Sequence, residues 1–215
     1  MLLRGTGKTL ITVGVVVLLF CVYELWVTGL STARAQSVLT EDLTRSWAAP
    51  PPPAPSGQAD PPPPGGAFAR LHVPSLPGYE PWTIVEGVGV PDLKQGPGHM
   101  PGTALPGQRG NVVLSGHRTT YGAPFNRWDE LGEGDVVVLE TRDGWYTYSL
   151  TGSQVVAPSA VEVTLPVPGQ PGAAPVEQLL TMTTCEPEYS AAERMIVSGR
   201  LTAVQTRADG PPPNL

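Results

Sequence analysis

Residues 178–187 read QLLTMTTCEP, and they have the pattern of a strand with one apolar face. Leu180 and Met182 alternate with two threonines and Cys185, which is the two-residue period of extended backbone. Pro187 cannot continue a central strand because it has no backbone N–H. The pattern therefore predicts a strand that buries Leu180 and Met182 and places Cys185 on the opposite face, at the strand's end.

Seven other short segments have strand character, since they are apolar, rich in β-branched residues and bounded by Gly or Pro turns. They cover residues 71–73, 83–88, 111–115, 135–140, 145–151, 154–156 and 194–201. Asp143-Gly144 predicts a hairpin with a type I′ turn, and a short helix is expected over residues 124–131. Eight short strands predict an all-β domain, either a closed barrel or a sandwich.

Proline marks the boundary of this domain. The chain has 215 residues and 26 prolines, and nine of these prolines lie in residues 48–66, AAPPPPAPSGQADPPPPGG. Proline runs favour polyproline II, so the segment is predicted to be a semi-rigid spacer that holds the domain away from the membrane. A ligand for proline-binding domains is the less favoured alternative. Residues 29–67 are thus a juxtamembrane segment and linker, and residues 204–215 are predicted to be a disordered tail.

The most apolar stretch is LITVGVVVLLFCVYELWV, residues 10–27. Eighteen helical residues rise about 27 Å, close to the thickness of a bilayer's hydrocarbon core. Two basic residues precede the stretch, so the positive-inside rule predicts a cytoplasmic N-terminus and an extracytoplasmic domain. Residues 1–28 are predicted to be a cytoplasmic tip and a single-pass plasma-membrane anchor. The alternative is a signal peptide cleaved at Ala33-Arg34-Ala35.

Charge and cysteine content exclude several classes of protein. Thirteen basic and 19 acidic residues give a net charge of −6, which argues against nucleic-acid binding. Two cysteines, one of them Cys21 in the apolar stretch, exclude a disulfide scaffold. No HExxH, CxxC or phosphate-loop motif is present, so we predict no metal and no cofactor. A calcium site among the acidic residues 129–135 is a weak alternative.

One cysteine, a histidine and an arginine could carry chemistry. Cys185 lies at a strand end beside a loop, where a thiol can act as a nucleophile; a packed, inert thiol is the alternative. His117 is the strongest candidate for its partner, because it follows a strand directly. His99 is either structural or lines a groove. Arg194 falls on the cysteine's side of the sheet if its apolar neighbours face the core, and Arg118 is a second candidate.

Three motifs in this order resemble those of the sortases, the cysteine transpeptidases of Gram-positive cell walls. GPGHMPGTALPGQRGNVVLSGHRTTYGAPF (96–125) resembles the segment that carries the sortase histidine. TMTTCEP (181–187) resembles the TLxTC segment with its cysteine, and SAAERMIVSGR (190–200) resembles the segment with its arginine. The sequence HRTTYGAPF, the short Cys-to-Arg spacing and the proline-rich stalk most resemble the corresponding features of the actinobacterial class E sortases.

The resemblance implies a closed eight-stranded barrel over residues 68–203, with His117, Cys185 and Arg194 as the catalytic set. It implies that the thiol cleaves an LAxTG- or LPxTG-like sorting signal of a secreted protein between Thr and Gly. The resulting thioester would then pass to an amine of a peptidoglycan precursor. The candidate substrate-binding residues are Thr183, Thr184, Tyr121 and His99.

Two departures from the sortase pattern and three alternative functions remain. Met182 replaces a leucine, which conserves volume. Glu186 puts a carboxylate beside the nucleophile, and a negative charge disfavours the thiolate unless the side chain points away. A hydrolase with water as acceptor and a pilin-polymerising sortase would use the same residues, although no aromatic lid precedes the first strand. A non-catalytic, membrane-tethered binding module is the third alternative.

Overall fold

The computed structural model describes residues 2–23, 28–49 and 62–215. The predicted anchor residues 24–27 and the proline-rich residues 50–61 lie outside them. The helices are α1 (Leu2–Val22), α2 (Thr28–Ala48) and α3 (Val90–Leu93), with 3₁₀ turns at Trp128–Glu130 and Val161–Thr164. The strands are β1 (Ala67–His72), β2 (Trp82–Glu86), β3 (Gly98–His99), β4 (Gly110–Ser115), β5 (Val136–Glu140), β6 (Gly144–Val156), β7 (Gln178–Glu186) and β8 (Glu193–Thr206). None of the helices in these ranges combines the length and the apolar character that crossing a bilayer requires.

The strands close into a single barrel in the order β1-β2-β3-β4-β7-β8-β6-β5. The pairs β2–β3 and β4–β7 are parallel, and the remaining described pairs are antiparallel. The predicted closed barrel is therefore confirmed, and the sandwich is excluded. The predicted strands 145–151 and 154–156 form one strand, β6, whose register shifts between Leu150 and Gly152. The two-residue strand β3 is too short to show a period in the sequence.

Local details differ from the predictions in three places. The hairpin between β5 and β6 forms, and Thr141 N donates to Gly144 O over 2.8 Å. The predicted type I′ turn is wrong, because Gly144 has a positive φ and Asp143 does not. The predicted helix over 124–131 is reduced to the 3₁₀ turn Trp128–Glu130. Strand β8 extends to Thr206, so it includes the first three residues of the segment predicted to be a disordered tail.

The apolar core fills the interior of the barrel. Leu180 and Met182 of β7 are both within it, as the alternation of residues 178–187 predicts. At one end, Phe125 stacks on Trp128 with ring centroids 4.2 Å apart, and both side chains are fully buried. This aromatic pair packs beneath the loop that follows β4 and gives that loop a fixed base.

Helix α2 is packed against the barrel along its length. The Gln36 side-chain amide accepts a hydrogen bond from Thr83 N over 2.8 Å and donates one to Thr83 O over 2.9 Å. It therefore satisfies the backbone of β2 at Thr83 as a neighbouring strand would. Leu43 is buried, and the Trp47 ring lies 4.7 Å from the Arg207 guanidinium. Helix α2 is therefore docked on the domain, while residues 50–61 of the proline-rich segment lie outside the described ranges and the role of that segment as a spacer stays a prediction.

Candidate active site

Three adjacent strands bring His117, Cys185 and Arg194 to one end of the barrel. Strands β4 and β7 are parallel with Ser115 opposite Thr183, so His117 and Cys185 each lie two residues further towards the same end. Strands β7 and β8 are antiparallel, and Cys185 is directly opposite Arg194. The register thus places together the three residues that the sequence predicted as a catalytic set.

Cys185 is partly exposed at the end of β7. Cys185 is unpaired and half-buried, and strand alternation puts it on the face opposite the core residues Leu180 and Met182. A thiol in this position can be reached by a substrate at the barrel end. The alternative of a fully packed, inert cysteine does not fit this exposure.

Two hydrogen bonds fix the His117 loop to β7. Gly116 N donates to Thr183 O over 3.2 Å, and Thr184 Oγ1 donates to Gly116 O over 2.9 Å. Position 116 also requires glycine, since a Cβ there would lie 2.8 Å from the Phe125 ring. Thr184 is buried with its hydroxyl on this contact, and its substrate-binding role stays a prediction that the burial does not support. Thr183 is half-buried on the side of Cys185, and its substrate-binding role stays a prediction.

His99 does not line a groove. It is 1% exposed, its Nδ1 lies 2.6 Å from Glu86 Oε2, and its Nε2 lies 3.0 Å from Ala104 O. Strand β3 is paired on both sides, by β2 and β4, and the imidazole is enclosed among these partners. These contacts favour the structural interpretation of His99, and its role in substrate binding stays a prediction that the 1% exposure does not support.

His117 is half-buried beside an aromatic ring and a cation. Its ring centroid is 4.9 Å from that of Tyr121, and Lys94 Nζ is 5.5 Å from the Tyr121 centroid. Burial, and secondly the positive charge of Lys94, lower the pKa of His117 below its usual range. Helix α2 contacts the segment that carries Lys94, because Thr32 Oγ1 donates to Lys94 O over 2.7 Å. The sequence predicted Tyr121 as a substrate-binding residue, and that role stays a prediction. No sequence pattern indicated Lys94 or Thr32, which are distant from His117 along the chain.

Replacing Lys94 with methionine should raise the pKa of His117, because the change removes a cation and keeps the burial. A shift of a few tenths of a pH unit is expected for one exposed charge. NMR titration of the His117 ring protons, compared between Lys94→Met and the unmodified protein, measures it. An unchanged His117 titration would show that burial alone sets its pKa.

Arg194 is held by carbonyl groups of its own loop. Its guanidinium donates to Ala191 O over 3.1 Å and to Glu193 O over 2.8 Å. Within the part of the chain that the structure describes, no carboxylate pairs with it. A guanidinium bonded only to exposed carbonyls keeps donors that can turn to a peptide or an oxyanion.

The carboxylate next to the nucleophile is paired. Glu186 follows Cys185 in β7, so its side chain leaves the strand on the opposite face. There it forms an ion pair with Arg118. The Glu186 side chain thus points away from the Cys185 thiol. Its paired carboxylate is therefore not positioned to disfavour the thiolate. The two partners are 68 positions apart, and no sequence pattern connected them.

Comparisons with known proteins point to one family. Residues 71–202 match the family described as Sortase domain. Sortase SrtE1 of Streptomyces coelicolor is 36% identical over 97% of this chain, and sortase SrtE2 of the same organism is 33% identical over 95%. This chain spans 60% of the length of SrtE1 and 83% of that of SrtE2.

Solved structures show the same similarity. The crystal structure of sortase E1 from Streptomyces coelicolor with a tripeptide in the active site has a TM-score of 0.64 and 37% identity, covering 70% of this chain and 96% of that one. The SrtF sortase from Corynebacterium diphtheriae has a TM-score of 0.69 and 32% identity, covering 76% of this chain and 98% of that one.

Proposed function

Since this chain belongs to the sortase family, we propose that it is a membrane-anchored cysteine transpeptidase that acts on LAxTG- or LPxTG-like sorting signals. It cleaves the Thr-Gly bond and transfers the secreted protein to an amine of a peptidoglycan precursor. The observation that carries the proposal is the meeting of His117, Cys185 and Arg194 at one barrel end. A peptide substrate is further supported by the tripeptide in the active site of sortase E1.

In the first half-reaction, the Cys185 sulfur attacks the threonine carbonyl carbon. The lowered pKa of His117 favours a neutral imidazole near pH 7, so His117 accepts the thiol proton as the attack proceeds. Arg194 donates to the oxyanion of the tetrahedral intermediate or to the substrate backbone. His117 then protonates the glycine nitrogen, the C–N bond breaks, and a thioester on Cys185 remains.

In the second half-reaction, an amine attacks the thioester. His117 is again neutral after the glycine amine has left, and it removes a proton from the incoming nucleophile. Collapse of the second tetrahedral intermediate forms an amide and releases the thiolate, which takes the proton back. The active site therefore returns to its starting state without a cofactor.

A transpeptidation assay tests the function. LAxTG and LPxTG peptides are incubated with and without a glycine or diaminopimelate-type amine, and the products are identified by mass. We expect an amide product that depends on the added amine. Hydrolysis alone under both conditions would support the competing function, a cysteine hydrolase with water as acceptor.

The anchor places the barrel outside the cytoplasm, with the N-terminus inside. Two observations support an uncleaved anchor at residues 10–27. Apart from Thr12 and Gly14, residues 10–20 of α1 have large apolar side chains that are all exposed, which is typical of a lipid-facing helix. Cleavage at Ala33-Arg34-Ala35 would cut α2 and remove Thr32, which bonds the Lys94 carbonyl. Extraction of membranes with alkaline carbonate should leave the protein in the pellet, and its full release would contradict an anchor.

A further inference from the structure

Arg118 directly follows His117 and is 6% exposed at the same end of the barrel as Cys185. Its guanidinium pairs with Glu186 and lies 3.2 Å from Asp129 Oδ1. It also donates to the carbonyl oxygen of Cys185 over 3.5 Å. One buried side chain therefore joins the His117 loop to the end of β7 and to the 3₁₀ turn that carries Asp129.

The charge of Arg118 balances an acidic strand end. Glu186 is directly opposite Glu193 in the β7–β8 pair, and like charges in this arrangement are unfavourable. A buried arginine stays protonated, so it can offset one of these carboxylates at any working pH. Removing it would leave Glu186, whose side chain is only 21% exposed, as an unpaired carboxylate one residue from Cys185, on the opposite face of β7.

We propose that Arg118 is a positioning residue for the transfer reaction: it fixes the end of β7 against the His117 loop and neutralises Glu186, so that Cys185 reacts beside a paired carboxylate. The proposal rests on the function proposed above. Arg118 acts through Cys185 and has no need to contact substrate. Other charged or titratable groups around this end of the barrel are His117 after β4, Lys94 after α3, Arg194 and Glu193 on β8, and Asp129 on the 3₁₀ turn.

The test measures alkylation of Cys185 by iodoacetamide against pH in the full-length protein. Mass analysis of the fragment that contains Cys185 separates its signal from that of Cys21. We expect Arg118→Met to move the alkylation midpoint upward by about 0.5–1 pH unit, since an unpaired carboxylate disfavours the thiolate. Thioester formation should slow by about 10-fold or more because the strand end loses its fixed position.

A second substitution separates the charge from the packing. In Arg118→Met/Glu186→Gln the midpoint should return close to that of the unmodified protein, although thioester formation stays slow. Arg118→Lys should keep the midpoint and still slow thioester formation, because lysine carries the charge without the planar fork. The matched control is Arg127→Met, which breaks an exposed arginine pair with Glu130 and should leave both measurements unchanged.

Two results would overturn the proposal: an unchanged midpoint in Arg118→Met, or a raised midpoint that Glu186→Gln fails to reverse. Glu186→Gln alone keeps Arg118 in place and should lower the midpoint, so the proposal can be tested even if Arg118→Met does not fold. Alkylation requires neither a sorting signal nor an acceptor amine. If transpeptidation fails while the midpoints shift as expected, the proposed function is wrong and the electrostatic role of Arg118 is retained.

Discussion

Replacing Cys185 with alanine should abolish thioester formation, because alanine has no nucleophile to attack the threonine carbonyl. Loss of a covalent nucleophile typically lowers turnover by about 10⁴-fold or more, so residual transpeptidation should fall below detection. The measurement is the mass of the protein after brief incubation with a sorting-signal peptide, together with the yield of amide product. The variant should gain no acyl mass.

The chain contains its own control for this experiment. Cys21 is the other cysteine, and it lies on α1 outside the barrel. Cys21→Ala should form the thioester at the rate of the unmodified protein. Full activity of Cys185→Ala would refute the assignment of the nucleophile, and loss of activity in Cys21→Ala would show that a cysteine in α1 also affects the reaction.

Replacing His117 with alanine should slow thioester formation by about 10²–10⁴-fold, the usual contribution of a general acid–base group. The leaving glycine amine would have to depart without a positioned proton donor. The measurement is kcat/KM for acylation across pH 5–9, and the limb that reports His117 should disappear from the profile. Because burial and Lys94 lower the pKa of His117, that limb should lie below the pH at which an exposed histidine titrates.

His72 provides the matched control for His117. It is on β1, where its Nε2 lies 2.9 Å from Glu140, and Glu140 keeps a second partner in Arg207 when the histidine is removed. His72→Ala should therefore fold and keep the acylation rate within about two-fold, as expected for a residue away from the reacting atoms. Acylation that is unchanged in His117→Ala would remove the acid–base role.

Periodicity in the sequence predicted much of the barrel. Alternation along β7 correctly assigned Leu180 and Met182 to the core and Cys185 to the other face, because a strand changes face at every residue. The same rule placed Arg194 on the cysteine's side, and the register with β8 agrees. It failed at β3, which has two residues, and at Asp143, whose turn conformation depends on the strands that flank it.

The surroundings of single polar residues could not be predicted from the sequence. His99 and Thr184 have side chains that can bind a substrate, but both are buried with partners from other segments. Burial depends on which strands meet, and that is a property of the closed sheet. The docking of α2 was missed for a similar reason, since Gln36 replaces a strand at a position that no local pattern marks.

By itself, the sequence determined that this protein has an apolar N-terminal stretch, a proline-rich segment, a β domain and one thiol at a strand end, with His117 and Arg194 as its candidate partners. These features follow from local composition and from the two-residue period of a strand. Only the tertiary structure decided that Glu186 is paired by Arg118, that Lys94 lies near His117, and that α2 packs against the barrel. Each of these is a contact between residues far apart in the chain, and closure of the barrel is what brings them within reach of one another.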